Sequence, residues 1–138
     1  MFTTILCIED DPIALMLCKK VISRFNFSEN IVTAVNGQDA LHFFNNIKYE
    51  PNALENRPQL ILLDLNMPIM GGWDFLDHFT QNDYQQFNNI PVVILSSTID
   101  PEDLSKAKEY PLIVDFLSKP INSDMLNYLS KKLSKLQQ

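Results

Sequence analysis

Five short apolar runs recur along the chain: TILCI at 4–8, IVTAV at 31–35, LILLD at 60–64, VVILS at 92–96 and LIVDFL at 112–117. Their length and aliphatic, β-branched character predict five strands. In the first, third and fourth the apolar residues run on without alternation. That pattern predicts strands covered on both faces, as in a parallel sheet blanketed by its crossover helices.

Between these runs the pattern turns helical. Asp11-Pro12, Asn36-Gly37 and Asp100-Pro101 each put a side-chain acceptor just ahead of a helical stretch, where it can cap otherwise unpaired N–H groups. Leu126, Leu129, Leu133 and Leu136, three and four residues apart, form one apolar stripe on the last helix, read as core packing. Residues 49–57 predict an extended loop before the third strand, with no role assigned to it. The alternation gives an α/β fold: a doubly wound sheet with right-handed crossovers and five helices. In such folds ligands gather beyond the carboxyl ends of the strands.

Length and charge narrow the picture. A chain of 138 residues that is 46% hydrophobic predicts one domain over 1–138, with no output module beside it. Seventeen acidic side chains against eleven basic ones repel a phosphate backbone, so no direct nucleic-acid partner is expected. Lys131, Lys132 and Lys135 fit the last turns of a helix, where they complement its dipole. Cys7 and Cys18 lie in apolar surroundings, and the N-terminus lacks the basic and apolar regions of a leader, which predicts a reduced cytoplasmic location. The apolar runs fall far short of the roughly 20 residues that a membrane span needs.

The informative feature is where the acids fall. Glu9, Asp10 and Asp11 end the first strand, and Asp64 ends the third. If the two strands are neighbours, three or four carboxylates share one crevice. That arrangement is costly without a cation, and an all-oxygen donor set suits Mg²⁺. Asp11 before Pro12 reads mainly as a helix cap; Asp10 and Asp64 read as metal ligands. Ser96 ends the fourth strand, and Lys119 before Pro120 follows the fifth. A hydroxyl and an ammonium beside an acid and Mg²⁺ are what a transferred phosphoryl group requires.

Taken in order, IEDDP, DLNMPIMGG, SS and FLSKP, each at a strand end, resemble the receiver domain of response regulators over essentially the whole chain. The resemblance implies a flavodoxin-like sheet of order 2-1-3-4-5. It implies Asp64 as phosphoacceptor and Mg²⁺ held by Glu9, Asp10, Asp64 and the main-chain carbonyl of Asn66, with Glu9 the more distant ligand. Ser96 would donate to a phosphoryl oxygen, and Lys119 would pair with the phosphoryl group or, before it arrives, with Asp64. Phe116 is either a core residue of the fifth strand or, in its FLSKP context, the switch aromatic. A cis bond before Pro120 is implied as well.

The expected function is a stand-alone phosphorelay switch, a signalling module rather than an enzyme. It would be charged by a histidine kinase or phosphotransfer protein and read out by a downstream protein, or by self-association, through residues 101–135. Two alternatives remain open. One is a pseudo-receiver that binds without phosphorylation. The other is an aspartyl-phosphate hydrolase of the haloacid-dehalogenase kind, which needs an acid where Asn66 stands. His42 and His78 read as surface or packing residues, Met67 and Met70 as gap-fillers, and Trp73 and Asp74 as the start of the third helix.

Overall fold

The protein is described by a computed structural model covering residues 2–136. Five strands, β1 (Phe2–Ile8), β2 (Ser28–Ala34), β3 (Ile61–Leu63), β4 (Val92–Ser96) and β5 (Ile113–Ser118), form one sheet in the order β2-β1-β3-β4-β5. Every neighbouring pair is parallel. The crossovers carry α1 (Pro12–Arg24), α2 (Gly37–Ile47), α3 (Ala53–Asn56), α4 (Gly72–Phe79) and α5 (Pro101–Ala107), and α6 (Ser123–Leu136) follows β5.

Six helices among the described residues stand where the sequence pattern predicts five, and the extra one is α3. It is a single turn inside the 49–57 stretch, in which the amides of Glu55 and Asn56 both reach the Asn52 carbonyl at 3.0 Å. Pro51 and Asn52 mark a turn, but the Ala-Leu-Glu that follows consists of good helix formers. A 3₁₀ segment, Asn82–Phe87, also precedes β4.

The helix starts lie where the caps predict. The Asp11 carboxylate accepts from the Ile13 amide, the Asn36 side chain from Asp39, and Asp100 from Glu102. Asp11 is thus occupied as a cap.

Unbroken apolarity in the central strands reflects a sheet buried on both faces. Leu6, Ile8, Ile61, Leu63 and Val92 point into one core with Phe44, Phe75, Phe79 and Phe87 from the helical side. Ile5, Cys7, Leu62, Val93 and Leu95 point into the other, against Ile22, Leu126, Leu129 and Leu133. The leucine stripe of α6 is therefore core as far as Leu133; the side chains of Lys135 and Leu136 lie outside the described residues.

The β4–β5 ladder slips by one residue between Val92 and Val93, pairing Val92 with Ile113 but Val93 with Asp115. One extra residue in a strand reverses the face on which later side chains emerge. Phe116 therefore lies opposite Ile94, and Ser118 opposite Ser96.

Candidate functional site

The register of β1 and β3 brings the acids together. Ile8 pairs with Leu63, and the Asp64 amide donates to the Ile8 carbonyl at 3.0 Å. Glu9 and Asp64 thus leave adjacent strands at the same level. One oxygen from each of Glu9, Asp10 and Asp64 lies within 4.8 Å of the others. Glu9 and Asp64 are buried and Asp10 is exposed, so the cluster has a buried floor and an open rim.

The chain turns away from Asp64 within a few residues, and the close approach explains the glycines. A Cβ on Gly72 would sit 2.7 Å from the Asp64 carbonyl oxygen, and one on Gly71 would sit 2.9 Å from that of Leu65. Within the turn Ile69 has φ of 68°, a left-handed conformation that a β-branched residue rarely takes, and its side chain is 80% exposed. Met67 and Met70 pack half-buried on the first core, and α4 opens at Gly72, one residue before Trp73. Asn66 is exposed at the same end of β3.

Lys119 reaches in from the end of β5. Its amide bonds to the Ser96 carbonyl at 2.8 Å, and the Lys119–Pro120 bond is cis, as the resemblance implies. Its ammonium ion-pairs with Asp64, whose Oδ1 lies 3.4 Å away, and more closely with Glu9, so the two acids share one cation. The second Glu9 oxygen is buried with no hydrogen-bond partner among the described residues.

Burial and the neighbouring Asp64 carboxylate push Glu9 above the ordinary carboxyl range, although Lys119 pulls the other way. Burial alone would lower the Lys119 pKa, yet the two acids outweigh it and hold the ammonium above its ordinary value. One cation among three acids leaves the cluster short of positive charge. With an unpaired buried oxygen and oxygen donors only, these residues fit a hard divalent ion.

Ser96 is buried at the end of β4, and its hydroxyl donates to the Thr98 carbonyl at 2.6 Å. Phe116 packs half-buried on Leu65, Ile94 and Ala107. His42 and His78 are exposed, on α2 and near the end of α4. Sequence reasoning missed two contacts. The Cys7 and Cys18 sulfurs lie 3.9 Å apart just below the site, and Trp73 bonds to Asp103 across α4 and α5. Both join residues distant in sequence through side-chain geometry.

Residues 5–131 match the family of the response regulator receiver domain. A two-component response regulator of known structure from Cytophaga hutchinsonii is 30% identical, with 97% of this chain and 98% of that one covered and a TM-score of 0.86. Response regulator Rcp1 of Synechocystis is 30% identical over 76% of this chain and 69% of its own. The probable methanogenesis regulatory protein FilR2 of Methanothrix harundinacea is 26% identical over 88% of this chain and 75% of its own. Other curated relatives are longer: three that match span 15%, 45% and 43% of their own length in the match. None of the helices among the described residues is long and apolar enough to cross a membrane. With its β2-β1-β3-β4-β5 sheet and its acids at the ends of β1 and β3, the chain belongs to the receiver domains of two-component response regulators.

Proposed function

We infer that the chain is a phosphorylation-dependent switch in a phosphorelay, with Asp64 as phosphoacceptor. The observation that carries this reading is the convergence of Glu9, Asp10 and Asp64 within 4.8 Å, with the Lys119 ammonium 3.4 Å from Asp64. The donor is a phosphohistidine on a histidine kinase or phosphotransfer protein. An Asp64 oxygen attacks phosphorus, the P–N bond breaks, and the imidazole nitrogen keeps the electron pair and takes up a proton. Buried at a strand end, Asp64 is held rigidly at the mouth of the sheet, where little reorganisation precedes attack.

Glu9, Asp10, Asp64 and the Asn66 main-chain carbonyl would hold Mg²⁺, with Glu9 the more distant ligand. Rcp1, similar to this chain, has been solved in a Mn²⁺-bound form. Bound there, Mg²⁺ supplies the charge neutralisation that lets an anionic donor approach an anionic acceptor. Lys119 is poised to leave Glu9 for the phosphoryl group. The Ser96 hydroxyl exchanges the Thr98 carbonyl for a phosphoryl oxygen, and Phe116 turns into the space vacated on β4. The surface that changes is α5, β5 and α6, over residues 101–135, which a downstream protein or a second copy of the chain reads.

The test is mass spectrometry after incubation with acetyl phosphate and Mg²⁺. A species about 80 Da heavier is expected, absent from Asp64→Asn and after chelation, because an amide is a poor nucleophile and uncompensated acids repel the donor. An unchanged gain in Asp64→Asn would overturn the assignment. No gain in the wild type would favour a module that binds without phosphorylation.

A further inference from the structure

The acid cluster stands over a chemical feature it does not use. Cys7 on β1 and Cys18 on α1, the chain's two cysteines, are both buried, and their sulfurs lie 3.9 Å apart. A cavity of about 110 Å³ runs beside them, lined by Leu15, Leu62 and Ile121 and reaching Glu9, Asp64 and Lys119. Two thiols in contact on neighbouring elements, with free volume beside them, have to close by roughly 1.9 Å, through side-chain rotation and a shift of α1, to reach bonding distance.

The fold can accommodate that shift. Of the thirteen residues of α1 only Cys18 and Ile22 are buried, with Leu15 and Val21 half-buried on the same core, whereas Ile13, Met16 and Leu17 are exposed, so the helix is held along one narrow face. Cys7 belongs to the same strand that delivers Glu9 and Asp10, and it pairs with Leu62, two residues before Asp64. A change at Cys7 is therefore transmitted through a stiff two-strand ladder to the acids above it.

We propose that Cys7 and Cys18 are a peroxide-oxidisable pair whose disulfide straps α1 to β1 beneath the acid cluster and so alters the site that receives the phosphoryl group. The consequence for signalling rests on the reading of Asp64 as phosphoacceptor; the disulfide itself does not. Cys18 is the more exposed of the two, at 9% against 2%, which favours it as the first sulfur to react. The Cys18 thiolate attacks one peroxide oxygen, the O–O bond breaks, and with a proton the products are Cys18 sulfenic acid and water. Cys7 sulfur then attacks Cys18 sulfur, the S–O bond breaks, and the departing hydroxide leaves as water with the Cys7 proton. Two thiols and one hydrogen peroxide give one disulfide and two waters; the sulfurs are oxidised and the peroxide reduced.

The experiment treats the folded wild-type protein with hydrogen peroxide, then denatures and alkylates it. The expected product is about 2 Da lighter, resists alkylation at both cysteines, gives a cross-linked Cys7–Cys18 peptide and is restored by dithiothreitol. Amide resonances of Glu9, Asp10 and Asp64 should move on oxidation and return on reduction, with no such movement in Cys7→Ala or Cys18→Ala. Acetyl phosphate labelling of Asp64 should differ between the oxidised and reduced protein. Alkylation of both thiols after peroxide, disulfides only between molecules, or a Cys7–Cys18 bond that leaves the three amides unmoved would each overturn the proposal. Absence of labelling in both redox states would count against the phosphoacceptor reading alone, since mass and resonances report on the thiol pair without it.

Discussion

Trp73 donates its indole N–H to the Asp103 carboxylate at 3.0 Å, joining the helix that leaves the Asp64 turn to the helix that opens the proposed output surface. The Lys106 ammonium lies 5.0 Å from the Trp73 ring centre, and Tyr110 stacks on the same indole at 5.5 Å. Trp73 also packs half-buried on the Leu65, Ile94 and Ala107 cluster that holds Phe116. One side chain therefore touches both the cluster that holds Phe116 and the first helix of the proposed output surface.

Asp103→Ala should cost about 1 kcal/mol, the usual net worth of a partly exposed hydrogen bond, read as a lower urea midpoint at unchanged slope. Because Trp73 is the only tryptophan, its emission should shift in the same variant without a denaturant. A midpoint equal to that of the wild type would mean that the bond contributes nothing to the folded state.

Ile69 stores strain in the turn after Asp64. A left-handed conformation costs an ordinary residue roughly 1–2 kcal/mol, and Asn tolerates it better. Ile69 is 80% exposed and gives up little packing, so Ile69→Asn should stabilise the protein by up to about 1 kcal/mol in urea denaturation. Destabilisation would show that the exposed isoleucine makes contacts which outweigh its backbone.

Repulsion within the acid cluster predicts opposite effects of one substitution. Asp10→Asn removes a charge beside Glu9 and Asp64 and should raise the melting temperature of the metal-free protein. The gain should stay below about 1 kcal/mol because Asp10 is exposed and screened. Mg²⁺ should raise the melting temperature of the wild type and raise that of the variant less. Equal Mg²⁺ increments in both proteins would remove Asp10 from the ligand set.

A polar group on β5 predicts a pH dependence. Burial would raise the Asp115 pKa, but hydrogen bonds from Tyr128 at 2.5 Å, Lys132 at 2.9 Å and the Phe116 amide outweigh it and hold the carboxyl below its ordinary value. A depressed folded pKa stabilises the protein above the unfolded value, about 4, and that contribution is lost as pH falls through the folded pKa. The hydrogen bond to Asp115 likewise raises Lys132, whose contribution is present below about 10.5 and fades as pH rises through its folded pKa. The stability gap between wild type and Asp115→Asn should therefore be widest near neutrality and close below about pH 4. A gap independent of pH would place the effect of Asp115 elsewhere.

Local signals carried much of this protein into its sequence. Unbroken apolar runs marked strands buried on both faces, since a parallel sheet shields both sides of its centre. Asp11, Asn36 and Asp100 marked helix starts because a cap is chemistry between residues two or three apart. Acids at two strand ends sufficed to point to one crevice, for parallel strands in register deliver their carboxyl ends to the same edge. The helical turn at Ala53–Asn56 stayed hidden because Pro51 and Asn52 advertise a turn more strongly than three helix formers advertise a helix.

What only the tertiary structure decided depends on register and on pairing between distant residues. The slip between Val92 and Val93 sets the face on which Phe116 emerges, and a bulge leaves no periodic trace in a strand that is half-buried throughout. The preference of Lys119 for Glu9 over Asp64, the 3.9 Å contact of Cys7 with Cys18 and the bond from Trp73 to Asp103 are equally invisible along the chain. Residue type and spacing determine which groups reach a strand end or helix face, because those forces act over a few residues. Which group meets which is settled by packing, because a side chain's partner depends on the relative placement of whole elements.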